Sequence, residues 1–423
     1  MNIEFCGGAG EVGRSAVLID DKVLLDCGVK LGEKEEYPKI EAEPKVAVIT
    51  HAHLDHAAYL PFLFNSGLRP RIYLTKPTRD LMQVLISDYL RINESRSFKQ
   101  KDVINTLKAC EMKEYHEKFR DIIDFEFYYA GHILGSAMIK AGDLLYTGDI
   151  NCRETKVLEP AEIGISAKYL IMESTYGAYE DKIPAEKKAG KELCDSIKKT
   201  VSRGGWAIIP VFGVGRAQEI MMIIQDYVKS GYLPEMPMFI DGMISKVSRL
   251  YRHNALYMNE TIKRRILASE ENPFESKLFI TPKSKDKREL KEHKGGVIIT
   301  TSGMLSGGPV LKYLEMLGRD NNNSLILVGY QAEGTRGRKL LNGEKKITVR
   351  DREIEVNVGV DYINFSAHAD HEQLVSFAKG VKGVKKIFLM HGEQKKSEEL
   401  ADHLGKIGFD VEIPKNGQYF TLP

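Results

Sequence analysis

The sequence predicts an α/β fold with mixed strand orientations. Short runs rich in β-branched and aromatic residues, such as "VAVIT" at 46–50 and "FEFYYA" at 125–130, alternate with helical patterns. From about residue 178 onward the segments lengthen into strand–helix units, which are typical of parallel sheets. These two patterns of segment length predict two α/β parts with different architectures.

In the first part, the expected strands follow one another with one mostly helical stretch among them. That stretch runs from about Lys76 to Met112. The predicted strands are "KVLLDCG" (22–28), "VAVIT" (46–50), "RIYLT" (71–75), "FEFYYA" (125–130), "SAMIKA" (136–141), "LLYTGDI" (144–150) and "YLIMEST" (169–175).

The second part begins with a lysine-rich amphipathic helix near residues 185–203. Two further helices are expected from about Arg216 and from about Pro309. The strands between them are "GGWAIIPVF" (204–212), "MPMFID" (236–241), "GGVIITTSG" (295–303) and "SLILVGYQ" (324–331). A hairpin-like pair, "KKITVRDREIEVNVG" (345–359), precedes "FSAHAD" (365–370), after which a helix, a strand and a helix are expected.

Composition bounds the function only loosely. The chain has 423 residues, of which 43% are hydrophobic, and 61 Lys and Arg balance 59 Asp and Glu. A net charge of +2 does not by itself indicate a polyanion partner. A nucleic-acid site would therefore have to come from local clustering of basic residues. The five cysteines form no CxxC pair, and neither a signal region nor a long apolar run is present. We therefore expect a cytoplasmic protein with no membrane partner.

The histidines divide into two sets. Five are interpreted as ordinary hydrogen-bonded residues, namely His116, His253, His293, His371 and His403. Six others each follow a β-rich run closely, where side chains from separate strands converge, namely His51, His53, His56, His132, His368 and His391. Clustered histidines and aspartates at strand ends are typical of metal or catalytic sites.

The segment "HAHLDH" at 51–56 carries this signal most strongly. If this segment were an ordinary polar loop that binds no metal, the fold would bury several imidazoles and a carboxylate without partners. Each buried group would then cost roughly a few kcal/mol. His51 and His53 are two residues apart and can point the same way, while Asp55 and His56 fall at the turn into a helix and can face a neighbouring ion. Imidazoles and carboxylates without cysteine favour Zn²⁺, with Mn²⁺ or Fe as alternatives.

The motif "HAHLDH" resembles the HxHxDH signature of the metallo-β-lactamase superfamily. Further pieces occur in the order expected for that superfamily: Asp26 in "LLDCG", His132 in "GHILGSA" and Asp149 in "YTGDI". Three more resemble motifs of the β-CASP nucleases: Glu173 in "IMESTYG", His368 in "FSAHAD" and His391 in "LMHGE". The resemblance implies an αββα sandwich at 1–177 and 366–423 with an inserted α/β β-CASP domain at 178–365.

The resemblance also implies roles for the matching residues. One zinc ion would be held by His51, His53 and His132, and the other by Asp55, His56 and His391. Asp149 would bridge the two ions, and Asp26 would orient a ligand or its loop. Asp55, Glu173 and His368 are the implied catalytic residues, with the Glu173 carboxylate fixing the His368 imidazole.

The implied function is a zinc-dependent ribonuclease acting on single-stranded RNA, as a 5′→3′ exonuclease, an endonuclease or both. Two ions can generate a hydroxide from water at neutral pH, and His368 would protonate the leaving 3′-oxygen. The products would carry a 5′-phosphate and a 3′-hydroxyl. The alternatives are a small-molecule metallohydrolase for thioesters or lactones and an inactive scaffold of an RNA-processing complex.

The inserted part resembles the β-CASP cap in "IIPVFGVGRAQEIM", "TTSGMLSGGP" and "GYQAEGTRGRKLLNGE". These stretches look closest to the archaeal cleavage-and-polyadenylation specificity factor branch, and less like ribonuclease J. Arg216 at a helix start and Arg336, Arg338 and Lys339 in a glycine-rich segment suit RNA phosphates, although a turn and a solvated loop are the alternatives. No KH-like module is visible, so RNA contacts are expected from the cleft itself, and a homodimer stays open.

Overall fold

The chain forms two compact units in a computed structural model. The structure describes residues 1–32, 34–92, 97–268, 272–284, 287–349 and 351–423. The first unit consists of Met1–Glu154, Leu158–Lys182 and Ala367–Pro423, and the second consists of Thr155–Val157 and Ile183–Ser366. The domain boundaries expected after residues 177 and 365 remain predictions.

The strands are short, and most of them are buried. In chain order they are β1 (Asn2–Gly7), β2 (Ala16–Ile19), β3 (Val23–Leu25), β4 (Val46–Val48), β5 (Arg71–Leu74), β6 (Cys110–Met112), β7 (Phe119–Arg120), β8 (Asp124–Tyr129), β9 (Ala137–Ala141), β10 (Leu144–Tyr146), β11 (Tyr169–Glu173), β12 (Trp206–Pro210), β13 (Met238–Asp241), β14 (Phe279–Ile280), β15 (Gly296–Thr300), β16 (Ser324–Val328), β17 (Lys346–Val349), β18 (Arg352–Glu355), β19 (Gly359–Ile363), β20 (Lys386–Met390), β21 (Val411–Glu412) and β22 (Tyr419–Thr421).

The helices lie between these strands. They are α1 (Leu54–Ala57), α2 (Leu60–Asn65), α3 (Lys76–Ile92), α4 (Gln100–Lys108), α5 (Glu186–Ser202), α6 (Arg216–Lys229), α7 (Ile244–His253), α8 (Glu260–Ala268), α9 (Pro309–Leu317), α10 (Arg336–Leu341), α11 (His371–Gly380) and α12 (Gln394–Lys406). Short 3₁₀ turns occur at Ala255–Tyr257 and Arg288–Glu292. In the part of the chain that the structure describes, no helix is both long and apolar enough to cross a membrane.

Two sheets pack face to face in the first unit. One has the strand order β22-β1-β2-β3-β4-β5-β6 and the other β21-β20-β11-β10-β9-β8-β7. Their facing side chains, among them Phe5, Val48, Phe127 and Phe388, form one apolar core. The outer face of the second sheet packs on apolar side chains of α11 and α12. This is the metallo-β-lactamase sandwich that the sequence predicts.

The second unit is a parallel sheet buried on both faces. Its order is β14-β13-β15-β12-β16-β19, and every pairing in it is parallel. Side chains of α5 and α6 cover one face, while those of α9, α10 and the β17–β18 hairpin cover the other. Burial on both sides explains why "WAIIP", "GVIIT" and "SLILV" are continuous apolar runs rather than alternating ones.

The run from Lys76 to Met112 is mostly helical, as expected. It contains two helices, α3 and α4, followed by strand β6, and residues 93–96 lie outside the described residues. Helices α7 and α8 were not predicted. The signal for α7 was present, because its buried residues Ile244, Val247, Ser248 and Tyr251 recur at the helical period.

Candidate metal centre

The predicted metal ligands lie where strands of the first unit end. His51 and His53 follow β4, Asp149 follows β10, and His391 follows β20. Strands β10, β11 and β20 run parallel in one sheet, so their carboxyl ends meet at the same edge. Ordinary strand–turn connections therefore collect polar side chains that are far apart in the sequence.

Close backbone packing holds the "HAHLDH" segment against the loop after β3. The Cys27 amide donates to the His56 carbonyl at 2.7 Å. A Cβ atom at Gly28 would lie 1.7 Å from the Asp55 carbonyl oxygen, so only glycine allows this approach. The short helix α1 contains both Asp55 and His56, which fixes the direction of their side chains.

The ligand atoms form two groups that meet at one carboxylate. The Asp149 Oδ2 atom lies 3.5 Å from His51 Nε2 and 3.6 Å from His132 Nε2, and His53 Nδ1 lies 3.0 Å from His132 Nε2. The other oxygen, Oδ1, lies 3.0 Å from His391 Nδ1 and 3.4 Å from Nε2 of the remaining histidine, His56. A carboxylate placed in this way can bridge two cations.

Asp55 completes the second group. Its Oδ2 atom lies 3.3 Å from His391 Nε2, and that same nitrogen lies 3.4 Å from His56 Nε2. The ligand atoms of Asp55, His56 and His391 lie within 4.8 Å of one another, as do those of the group that contains His51, His53, His132 and Asp149. The structure thus brings together all the ligands that the sequence predicts.

The donor set fits divalent metal ions. His51 is fully buried, and its Nε2 atom has no hydrogen-bond partner among the described residues although it faces Asp149. A buried nitrogen without a partner is costly unless a ligand uses its lone pair. The other ring nitrogen of His132, Nδ1, donates to the Ala367 carbonyl at 2.8 Å, which leaves Nε2 free to bind a cation. Imidazole and carboxylate donors favour zinc or manganese.

Asp26 supports the second group, which consists of Asp55, His56 and His391, through the ring of His56. Its carboxylate accepts hydrogen bonds from His56 Nδ1 at 2.7 Å, from the Thr50 amide at 2.8 Å and from the Tyr146 hydroxyl at 2.9 Å. Asp26 is fully buried, so these partners hold its charge in place. The bond to Nδ1 points the other ring nitrogen of His56 towards Asp149. Thr50 and Tyr146 were not predicted, and no motif in the sequence signals them.

Burial and neighbouring charges move the pKa values of the histidines in the two groups in opposite directions. Burial lowers the pKa of His53 to about 4 and, together with the charge of His56, that of His51 well below its ordinary value. Burial alone would also lower the pKa of His391, but Asp149 raises it to about 10. The second group therefore has to release protons when it binds a cation.

A glutamate–histidine pair lies beside the ligands. His368 Nδ1 lies 2.8 Å from Glu173 Oε2, and the other oxygen of Glu173 accepts from the Ile150 amide at 2.7 Å. The ring centroid of His368 is 4.6 Å from that of His132. Burial would lower the pKa of His368, but the carboxylates of Glu173 and Asp149 raise it above its ordinary value.

A salt bridge holds the segment that carries His368. Arg153 Nη2 lies 2.5 Å from Asp370 Oδ2, and the Asp370 side chain caps α11 by accepting from the Gln373 amide at 3.1 Å. Neither residue was predicted. The spacing of Asp370 and Gln373 is that of a capping box and could have signalled the helix start, whereas nothing in the sequence marks Arg153.

The four predicted RNA-binding residues lie in the second unit. The Arg216 side chain is 7% exposed, forms an ion pair with Glu219 and lies over the Phe365 ring. Its charge is already balanced inside the protein, which argues against a phosphate contact. The Arg336 guanidinium donates to the backbone carbonyls of residues 305, 306 and 348. Arg338 is half-buried and Lys339 is exposed.

Two family models match the chain. The Beta-Casp domain matches residues 217–340, and the Zn-dependent metallo-hydrolase RNA specificity domain matches residues 353–414. A crystal structure of a protein of unknown function from Enterococcus faecalis has the same fold, with a TM-score of 0.56 at 13% identity over 100% of this chain and 99% of that one.

Curated relatives extend the match over most of the chain. Transcription termination factor FttA of Methanocaldococcus jannaschii is 36% identical over 96% of this chain and 69% of its own length. An RNase J-like protein of the same organism is 39% identical over 94% of both chains. Similarity of this extent and the metal-ligand cluster agree with the sequence prediction. The chain belongs to the β-CASP ribonucleases of the metallo-β-lactamase fold, which are metal-dependent hydrolases.

Proposed function

We propose that this protein is a two-zinc ribonuclease that hydrolyses single-stranded RNA to products with a 5′-phosphate and a 3′-hydroxyl. The observation that carries the proposal is the Asp149 carboxylate, one oxygen of which faces His51 and His132 while the other faces His56 and His391. One bridging carboxylate between two complete ligand groups supports two ions rather than one.

Each ion would have its own ligands. His51, His53 and His132 would hold the first, Asp55, His56 and His391 would hold the second, and Asp149 would contact both. Manganese is the alternative to zinc. When bound, the pair would lower the pKa of a water molecule and stabilise negative charge on the phosphoryl group.

The chain's own residues would handle the leaving group. Hydrolysis adds a water oxygen to phosphorus and breaks the bond to the 3′-oxygen, which then needs a proton. His368 can supply it, because the pKa of its imidazole is raised and Glu173 holds the ring by Nδ1. This leaves Nε2 as the nitrogen that transfers the proton. Glu173 is itself fixed by the Ile150 amide, so the pair is preorganised.

The names of the relatives support RNA as the substrate, and we propose that this RNA is single-stranded. A transcription termination factor matches 96% of this chain and an RNase J-like protein matches 94%. We propose that the half-buried Arg338 and the exposed Lys339 of α10 contact RNA phosphates, while Arg336 keeps its neighbouring loops in place. A cytoplasmic location and a homodimer remain predictions.

The test is cleavage of one RNA that is labelled separately at each end and prepared with a 5′-monophosphate or a 5′-triphosphate. Early release of a 5′ mononucleotide, favoured by the monophosphate, would identify a 5′→3′ exonuclease. Internal fragments that do not depend on the 5′ group would identify an endonuclease. Either pattern should be lost in His53→Ala, which removes one metal ligand. Full cleavage by a correctly folded His53→Ala variant would refute the metal assignment.

A further inference from the structure

Two histidines outside the metal centre lie against each other where α11 and α12 meet. His371 is the first residue of α11, and His403 lies in the last turn of α12. His371 Nε2 is 2.8 Å from His403 Nδ1. Glu372, the next residue of α11, has a carboxylate oxygen within 4.8 Å of one ring nitrogen of each histidine. Three metal-binding side chains therefore converge at a second place in the first unit.

The proton on His371 is directed away from this cluster. His371 is 1% exposed, and its Nδ1 atom lies 2.7 Å from the Gly177 carbonyl oxygen. A carbonyl only accepts, so Nδ1 carries the proton and the lone pair of Nε2 points towards His403. A ring N–H that donates to a backbone carbonyl is the usual support of a metal-binding histidine.

The surroundings also suit a cation. The Tyr179 ring centroid lies 4.7 Å from that of His371 and 5.9 Å from that of His403, so one side of the pair is sheltered. Asp402 and Glu399 hold this tyrosine through its hydroxyl at 2.7 Å and its amide at 2.8 Å. Asp402 and Glu399 are themselves paired with Lys406 and Lys395. The charge that favours a cation therefore comes from Glu372 and from the carboxyl-terminal end of α12, where the helix dipole favours cations.

We propose that His371, His403 and Glu372 form a separate site for one divalent metal ion of the zinc class. Two imidazoles and a carboxylate are a zinc ligand set, and water would complete the coordination. The ion would replace the direct bond between the two imidazoles, with the His403 proton moving to its Nε2. It would tie the start of α11 to the end of α12. Because α11 begins three residues after His368, the ion would also steady the segment that carries this histidine.

The competing explanation is a plain hydrogen bond from one imidazole to the other. Glu372→Gln separates the two explanations, because it removes a metal ligand and leaves both histidines in place. His403→Gln removes a ligand and the hydrogen bond together. His253→Gln is the matched control, since His253 is exposed and also lies in the last turn of a helix, α7.

The experiment is zinc content per chain, measured by mass spectrometry after dialysis of this chain and its variants against a fixed free zinc concentration. We expect Glu372→Gln and His403→Gln each to bind one zinc ion fewer than the unmodified chain, and His253→Gln to bind the same number. Cobalt difference spectra between the unmodified chain and Glu372→Gln should then show the bands of one tetrahedral site. Equal zinc content in the unmodified chain and Glu372→Gln, with folding verified by circular dichroism, would overturn the proposal.

Discussion

Replacing Asp26 with asparagine should weaken metal binding at the second ligand group. Asp26 has a left-handed backbone with φ of 57°, which asparagine tolerates well. Its Oδ2 atom accepts from His56 Nδ1 at 2.7 Å and from the Tyr146 hydroxyl at 2.9 Å. An amide NH₂ in that place cannot accept. His56 would have to carry its proton on Nε2, the nitrogen that faces Asp149 at 3.4 Å.

The magnitude follows from these contacts. Loss of one hydrogen bond to a charged group costs about 1.5–3 kcal/mol. Loss of a group that orients a metal ligand typically reduces metal affinity by about 10–100-fold. The two figures agree, since each tenfold change corresponds to about 1.4 kcal/mol. For a domain of this size, a loss of about 2 kcal/mol lowers Tm by roughly 4–8 °C.

The assay is competition for zinc against a chromophoric chelator, together with thermal unfolding of the metal-free chain. Asp20→Asn is the control, because Asp20 also has a left-handed backbone, with φ of 47°, but is exposed and accepts from the Asn2 amide at the surface. Unchanged zinc affinity in Asp26→Asn would refute the reasoning. An equal loss of zinc affinity in Asp20→Asn would show that the effect arises from the left-handed backbone rather than from His56.

Three further outcomes are expected. His368→Ala should slow RNA cleavage by about 10²–10⁴-fold while zinc content stays constant; loss of zinc would instead make His368 a metal ligand. Arg338→Ala combined with Lys339→Ala should reduce the slope of log affinity for RNA against log salt by about 1.4, at about 0.7 for each phosphate contact, whereas Lys395→Ala, an exposed lysine of α12, should not change it; equal slopes would contradict the assignment. Removal of metal by a chelator should abolish cleavage and zinc should restore it; cleavage that persists without metal would contradict a metal-dependent mechanism.

Strands were predicted correctly where their burial requires a recognisable run of apolar residues. "VAVIT" and "SLILVGYQ" contain β4 and β16, because residues of a buried strand must be apolar and suit an extended backbone. "FEFYYA" overlaps β8, in which the two phenylalanines are buried. The division of the stretch from Lys76 to Met112 was missed. Both α3 and α4 follow a helical pattern, so periodicity alone does not reveal the break between them.

The metal ligands were predictable because four of them share the six residues of "HAHLDH". Asp26, which supports one of them, was predicted too, but the residues that hold Asp26 were not predictable. Asp26 lies 24 residues from Thr50 and 120 from Tyr146 in the chain, and no local pattern links them. The same holds for His371 and His403, which are 32 residues apart and looked like isolated polar residues.

The sequence by itself determined the fold class, the family motifs and the chemical identity of the ligand set, since residue type and spacing decide which elements can form and which atoms can bind a metal. Only the tertiary structure decided which oxygen of Asp149 faces which imidazoles, and that Arg216 is paired with Glu219. The reason is physical. Contacts between distant residues depend on how the sheets pack and where each strand ends. The energy of such packing is shared among many side chains, so no single local sequence pattern predicts these contacts.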